Sequence, residues 1–265
     1  MLTITITAQK GGTGKSTTAA ALAQAAVSAD PKARVLVVDT DTQCNLSIMC
    51  GANPNAPGVY DVLHGTPAAD VLQKTEQGLT VITASPNLAT EETKTGSGGR
   101  LRAALDSLQS LFDICIIDTP PGAGELVINA VSAADAVIIP LEADNNSLQG
   151  LYQIAALAQH IQEKTGRPQF MGTILTRFDG RAKINRHMQQ AITAAAAECG
   201  APYLTAIRPG IAVREAQALR KSLYRYAGGS NPARDYMELW QQLRRKLGIK
   251  SHRKAFDNVP NAPKK

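Results

Sequence analysis

The chain has 265 residues, 44% of them hydrophobic and only 4% aromatic, which is enough for one α/β domain with a sizeable core of aliphatic side chains and alanine-rich helices. Four cysteines without CxxC pairing (Cys44, Cys50, Cys115, Cys199) argue against a disulfide scaffold, and no run approaches the roughly 18 apolar residues that cross a bilayer, so a cytoplasmic protein is expected. The net charge of +6 is uneven: residues 1–100 sum to −1, residues 101–200 to −3, and residues 201–265, with 14 basic and 4 acidic side chains, to +10.

The opening MLTITITAQK alternates as a strand does and runs straight into glycines, without the basic and apolar regions of a signal peptide. It predicts a strand over 3–8. Further strands are expected near 34–39, 79–83, 113–118, 136–140, 170–176 and 203–207, alternating with helices over 15–29, 100–110, 124–133, 146–164, 182–198 and 233–248 and a short helix near 211–220. Such alternation of apolar β-branched runs with helical patterns specifies an α/β fold with a mostly parallel central sheet flanked by helices on both faces. Residues 53–57 read as a loop, and 93–100 (TKTGSGGR) as a flexible connection. Residues 1–250 are expected as one domain and 251–265 as a mobile basic tail.

The first strand ends in Gln9-Lys10-Gly11-Gly12-Thr13-Gly14-Lys15-Ser16-Thr17, followed at once by an alanine-rich helix. Strand, glycine loop and helix form a phosphate cradle. Backbone N–H groups turn inward, the helix N-terminus adds partial positive charge, and Lys15 reaches the β- and γ-phosphates while Ser16 offers a hydroxyl to magnesium. The strict G-x-x-x-x-G-K-[ST] pattern fails at Gln9; KGGxGK[ST], with a second lysine at position 10, fits instead. Two apolar strands also end in carboxylates, Val35 to Val38 in Asp39-Thr40-Asp41 and Ile114 to Ile117 in Asp118-Thr119-Pro120-Pro121-Gly122. Strand C-terminal ends share one edge of a parallel sheet, so all three meet at one crevice. There Asp118 would hold magnesium through its water shell, and Asp41 would orient the attacking water.

These segments resemble the ParA/MinD branch of P-loop NTPases, and within it the short ParA/Soj-type partition ATPases without an N-terminal helix-turn-helix. The landmarks are KGGTGKST at 10–17, VLVVDTDTQCNLS at 35–47, FDICIIDTPPG at 112–122, ADAVIIPLEADNNSLQGL at 134–151 and GTILTRFDGR at 172–181. The resemblance implies an ATPase using ATP and Mg²⁺, in which Lys10 crosses a homodimer interface to the partner's phosphates, Lys15 binds its own nucleotide, and Asp41 serves hydrolysis. It further implies non-specific DNA binding by the ATP-bound dimer on the nucleoid, and a ParB-like centromere-binding adaptor that stimulates hydrolysis during plasmid or chromosome partition. Nucleotide contacts are expected from Gly11, Gly12, Thr13, Gly14, Lys15, Ser16 and Thr17, and base contacts from Thr176, Arg177 and Pro209. Thr13, Thr42 and Cys44 depart from the family's usual valine, proline and glycine. Its Ile-Pro-Arg-Asn element survives only as Ile207-Arg208-Pro209-Gly210.

The basic final quarter reads either as a solvated face or as a surface for nucleic acid or anionic lipid. With no base-reading motif present, phosphate contacts from Arg208, Arg214, Arg220 and Lys221 are the expected DNA footprint. A MinD-like membrane-cycling or cargo-positioning ATPase is the alternative. The stripe Tyr236, Trp240, Leu243 and Leu247 bears on it, since such spacing marks a core-facing helix more often than a membrane anchor, and a membrane partner is not expected. An iron–sulfur carrier would need exposed interface cysteines, whereas Cys115 falls inside a predicted strand. His64, His160, His187 and His252 are too scattered for a metal site.

Overall fold

The computed structural model describes residues 1–94, 96 and 98–250. Strand β1 (Leu2–Ile6) leads through the glycine loop into α1 (Lys15–Ala29), β2 (Val35–Asp39), α2 (Asn45–Met49), α3 (Val59–Leu63), β3 (Gln73–Lys74), β4 (Thr80–Ile82) and α4 (Arg100–Asp106). The chain continues through β5 (Ile114–Asp118), α5 (Glu125–Ala133), β6 (Ala136–Leu141), α6 (Asn145–Thr165), β7 (Gln169–Leu175), α7 (Lys183–Glu198) and β8 (Tyr203–Ala206). It closes with α8 (Ile211–Ala218), α9 (Leu223–Ala227) and α10 (Asn231–Lys246).

All eight strands join one sheet in the order β3-β4-β2-β5-β1-β6-β7-β8, parallel except where β3 runs antiparallel to β4. Burial on both faces explains why β2, β5 and β6 are continuously apolar. Alternate residues serve opposite layers. Ile4, Ile6, Val35, Val37, Ile114 and Ile116 pack with α1 and α10. Leu36, Val38, Cys115 and Ile117 pack with Leu101 and Leu105 of α4 and Leu126 of α5. Val137, Ile139 and Leu141 meet Ile154 of α6 and Ile192 of α7. The alanines of α1 let that helix lie close under the sheet, with the Tyr236, Leu239, Trp240 and Leu243 stripe of α10 buried in the same layer.

The seven strands anticipated from the sequence are present with small shifts in their ends. The additional elements β3, α2, α3 and α9 have two to five residues each, too few for periodicity to register. Helix α4 stops at Asp106, short of the expected 110, because the Ser107 hydroxyl donates back to the Ala104 carbonyl (2.7 Å) and the chain turns toward β5. Helix α10 starts earlier than expected, at Asn231, because Pro232 suits a first helical turn whose N–H groups have no intrahelical partner. The expected basic tail, 251–265, and Thr95 and Ser97 of the expected connection lie outside the described residues.

Candidate nucleotide-binding site

In the ladder, Ile6 is in register with Asp118, and Asp118 with Asp39, so the glycine loop and both aspartate segments leave neighbouring strands at one edge. Gly12 (φ 80°) and Gly14 (φ 85°) hold the left-handed conformation that glycine tolerates best. A side chain added at Gly11 or Gly12 would meet no other atom within 4 Å, so neither glycine is required by crowding within the chain itself. Lys15, the first residue of α1, is buried and donates to the Lys10 carbonyl (3.1 Å). Burial lowers its pKa, against the opposing pull of Asp118 and Asp41.

Three carboxylates crowd the same edge. Asp39 is fully buried: its Oδ2 accepts from Ser47 N (2.8 Å) and Ser47 Oγ (2.7 Å), and its Oδ1 accepts from Asp41 N (3.1 Å). Burial still pushes its pKa up to about 6, with the Ser47 and Asp41 N–H bonds opposing. Asp41 is buried at the start of the following turn, where its Oδ1 accepts from Gln43 N (3.0 Å). Asp118 is held well above the usual carboxylate range, first by burial and then by Asp39; the Ser16 hydroxyl and the Lys15 ammonium oppose the shift. Neither Asp118 oxygen has a donor at full hydrogen-bonding geometry.

A nucleotide with magnesium fits this donor set. The orphaned Asp118 carboxylate suits a water of the metal's shell, the Ser16 hydroxyl suits the metal itself, and the glycine loop at the N-terminus of α1 suits a phosphate. Bound there, magnesium would neutralise phosphate charge. Asp39 was not singled out from the sequence, and its part is to fix the turn carrying Asp41. The available signal was the D-x-D spacing with a serine at the start of the following apolar segment.

Lys10 stands apart from the cradle. Its ammonium contacts Asp144 Oδ2 (2.7 Å) and Glu142 Oε2 (3.3 Å), and these hydrogen bonds raise its pKa, with Asp144 contributing most. Asp144 also caps α6, its Oδ1 accepting from Ser147 N (2.8 Å). Glu142 pairs in addition with Arg177, whose guanidinium donates to the Gly12 carbonyl. Sequence reasoning noted the segment containing Glu142 and Asp144 but gave neither a role.

Thr176 Oγ1 donates to the Thr13 carbonyl (2.8 Å), bringing the end of β7 to the outer side of the loop. A cavity of about 360 Å³ opens there, lined by Gly14, Thr17, Thr176, Arg177, Pro209 and Arg214 among others. The three residues expected at a base, Thr176, Arg177 and Pro209, thus share one wall with the loop. The four residues expected at DNA separate into two groups. Arg208 and Arg214 line this cavity, and the Arg208 guanidinium is bound to Asp235 (2.6 Å). Arg220 and Lys221 are exposed on the turn between α8 and α9, where Arg220 takes a positive φ of 52° and its carbonyl accepts from buried Gln77 (3.0 Å). Cys44, Cys50 and Cys115 are all buried. No helix among the described residues is long and apolar enough to cross a membrane.

A family model described as an AAA domain matches residues 1–170. The chromosome partitioning protein ParA of Caulobacter vibrioides is 31% identical over 252 residues, covering 91% of this chain and 92% of that protein. The chromosome-partitioning ATPase Soj of Thermus thermophilus is 30% identical, with 91% and 94% covered. Maintenance of carboxysome distribution protein A of Synechococcus elongatus is 30% identical, with 90% and 98% covered. The fold also matches the solved ATP complex of a McdA variant from Cyanothece, with a TM-score of 0.82 at 24% identity, covering 96% of this chain and 99% of that one.

Proposed function

The chain belongs to the ParA/Soj family of P-loop ATPases, and on that footing we propose that residues 1–250 form an ATP-switched dimer that binds DNA without sequence preference. ATP with Mg²⁺ joins two copies, and the dimer settles on the nucleoid. Hydrolysis to ADP and phosphate, stimulated by a ParB-like centromere-binding adaptor, releases it and drives plasmid or chromosome partition. The observation that carries this reading is the gathering of Lys10, Lys15, Asp41 and Asp118 on one sheet edge, with Lys10 beside the cradle rather than inside it. A lysine so placed can serve a second subunit's phosphates once it is released from Asp144 and Glu142.

DNA binding is supported by charge. Residues 201–250 carry ten basic and three acidic side chains, and Arg220 and Lys221 have no carboxylate partner among the described residues. The contacts fall on phosphates, so affinity declines with salt at a log–log slope of about −0.9 per phosphate neutralised. The test is Arg220→Glu with Lys221→Glu. Binding of unrelated duplexes in ATP should be lost while sedimentation still shows ATP-driven dimers; undiminished binding refutes this footprint, and a wild-type protein that binds no duplex refutes DNA binding itself.

The similarity to a carboxysome-distribution protein favours a second reading, in which the same switch positions a protein assembly. The adaptor discriminates the two: stimulation of hydrolysis by a DNA-bound centromere protein supports partition, and stimulation by a protein on the cargo supports positioning. The membrane-cycling version gains nothing from α10, whose apolar stripe is buried against α1.

A further inference from the structure

Three arginines line the cavity beside Gly14, and their commitments differ. Arg177 is paired with Glu142 and donates to the Gly12 carbonyl. Arg208 is bound to Asp235 through its backbone N–H (2.8 Å), Nε (3.0 Å) and an Nη (2.6 Å). Arg214 makes no ion pair or side-chain hydrogen bond among the described residues. Its position is nonetheless constrained. It lies on α8 one turn before Gln217, on the same helix face, and Gln217 Nε2 donates to Thr17 Oγ1 (3.0 Å) in the first turn of α1. The face of α8 that carries Arg214 is therefore fastened to the helix that begins in the glycine loop.

We propose that Arg214 is a nucleotide-reading residue whose guanidinium lies against the purine and ribose of the triphosphate held by the loop. This rests on the reading of the loop as an ATP site. Gly14 and Thr17 join the cavity to the phosphate loop, and Ile207, Pro209 and Tyr236 add apolar lining of the kind that takes a base. A volume of about 360 Å³ falls in the range of small-ligand sites. A planar guanidinium without a carboxylate partner stacks on a π-face and donates from its edge at once, which an ammonium does not reproduce. Arg177 and Arg208 are already neutralised and serve as walls. Arg214 then belongs to the nucleotide whenever ATP is bound, and the DNA-facing charge of the ATP-bound state falls to Arg220 and Lys221.

The test compares calorimetric binding of Mg-ATP and Mg-tripolyphosphate to wild type, Arg214→Ala, Arg214→Lys and Lys15→Ala, all without DNA. Base stacking lost on alanine substitution corresponds to a change on the order of tenfold or more. Arg214→Ala should raise the Kd for ATP by that factor and leave tripolyphosphate unchanged. Arg214→Lys should behave close to alanine, and Lys15→Ala should lose both ligands. Equal ATP affinity in wild type and Arg214→Ala overturns the assignment, as does an equal loss of tripolyphosphate, which would make Arg214 a general counter-charge. A wild-type protein that binds neither ligand would instead overturn the ATP reading of the loop.

Discussion

Asp144→Asn should tighten the ATP-dependent dimer. Lys10 is held within its own subunit by Asp144 (2.7 Å) and Glu142 (3.3 Å), so to serve a partner's phosphates it must first give up these contacts. The side chains of Lys10 and Asp144 are 38% and 37% exposed, which places the pair in the weak, solvent-screened class worth about 0.2–1 kcal/mol. Asparagine caps a helix as well as aspartate does, so the bond from Ser147 N survives and α6 is not undermined. Each dimer contains two such lysines. Removing the competing carboxylate from both therefore contributes about 0.4–2 kcal/mol, or roughly a 2- to 30-fold lower dimer Kd. Sedimentation velocity at saturating Mg-ATP, with Asp41→Ala present to suppress turnover, reads this directly. The reasoning fails if Asp144→Asn leaves the dimer unchanged or weakens it. It fails equally if the same tightening occurs in a Lys10→Ala background, where there is no lysine to release.

Lys15→Ala should abolish ATP binding, and Lys10→Ala should weaken dimerisation more than nucleotide binding, as read by calorimetry and sedimentation side by side. Asp41→Ala should bind ATP and accumulate dimers while phosphate release falls to near background; wild-type turnover there would remove Asp41 from its assigned role. Replacing Arg220 and Lys221 by alanine, which removes the charges without reversing them, should lower the magnitude of the salt slope for DNA by about 3 to 4 per dimer, the equivalent of four phosphate contacts. Asp39 has a folded pKa raised to about 6, so its ionisation opposes folding. Stability should rise as pH falls from 7.5 to 5.5 through that pKa, by roughly 1 kcal/mol of the about 3 kcal/mol that the whole shift is worth, and decline as pH rises again. Urea unfolding at the two pH values measures it, and an Asp39→Asn protein with the same pH dependence would show that another group is responsible.

The sequence by itself determined the sheet, the glycine loop and the meeting of Asp41 with Asp118. Each of these follows from local rules: apolar β-branched runs alternating with helical patterns make parallel strands, parallel strands place their C-terminal ends on one edge, and a glycine loop between strand and helix turns backbone N–H groups toward that edge. That the motif carries two lysines is legible in the sequence, while a separate role for Lys10 comes from the family resemblance. Only the tertiary structure decided what surrounds that motif. Lys10 meets partners 132 and 134 positions away, at the end of a strand that neighbours β1 only because β5 and β6 flank it on either side. Asp39 was read as a strand end until Ser47 closed upon it. Charge counted along the chain groups Arg214 with the basic surface, and that it also lines the cavity beside Gly14 follows from α10 packing against α1 and Gln217 reaching Thr17 across 200 residues. Those contacts are non-local packing events, and the orientation of α8 that they fix has no counterpart in the periodicity of its eight residues.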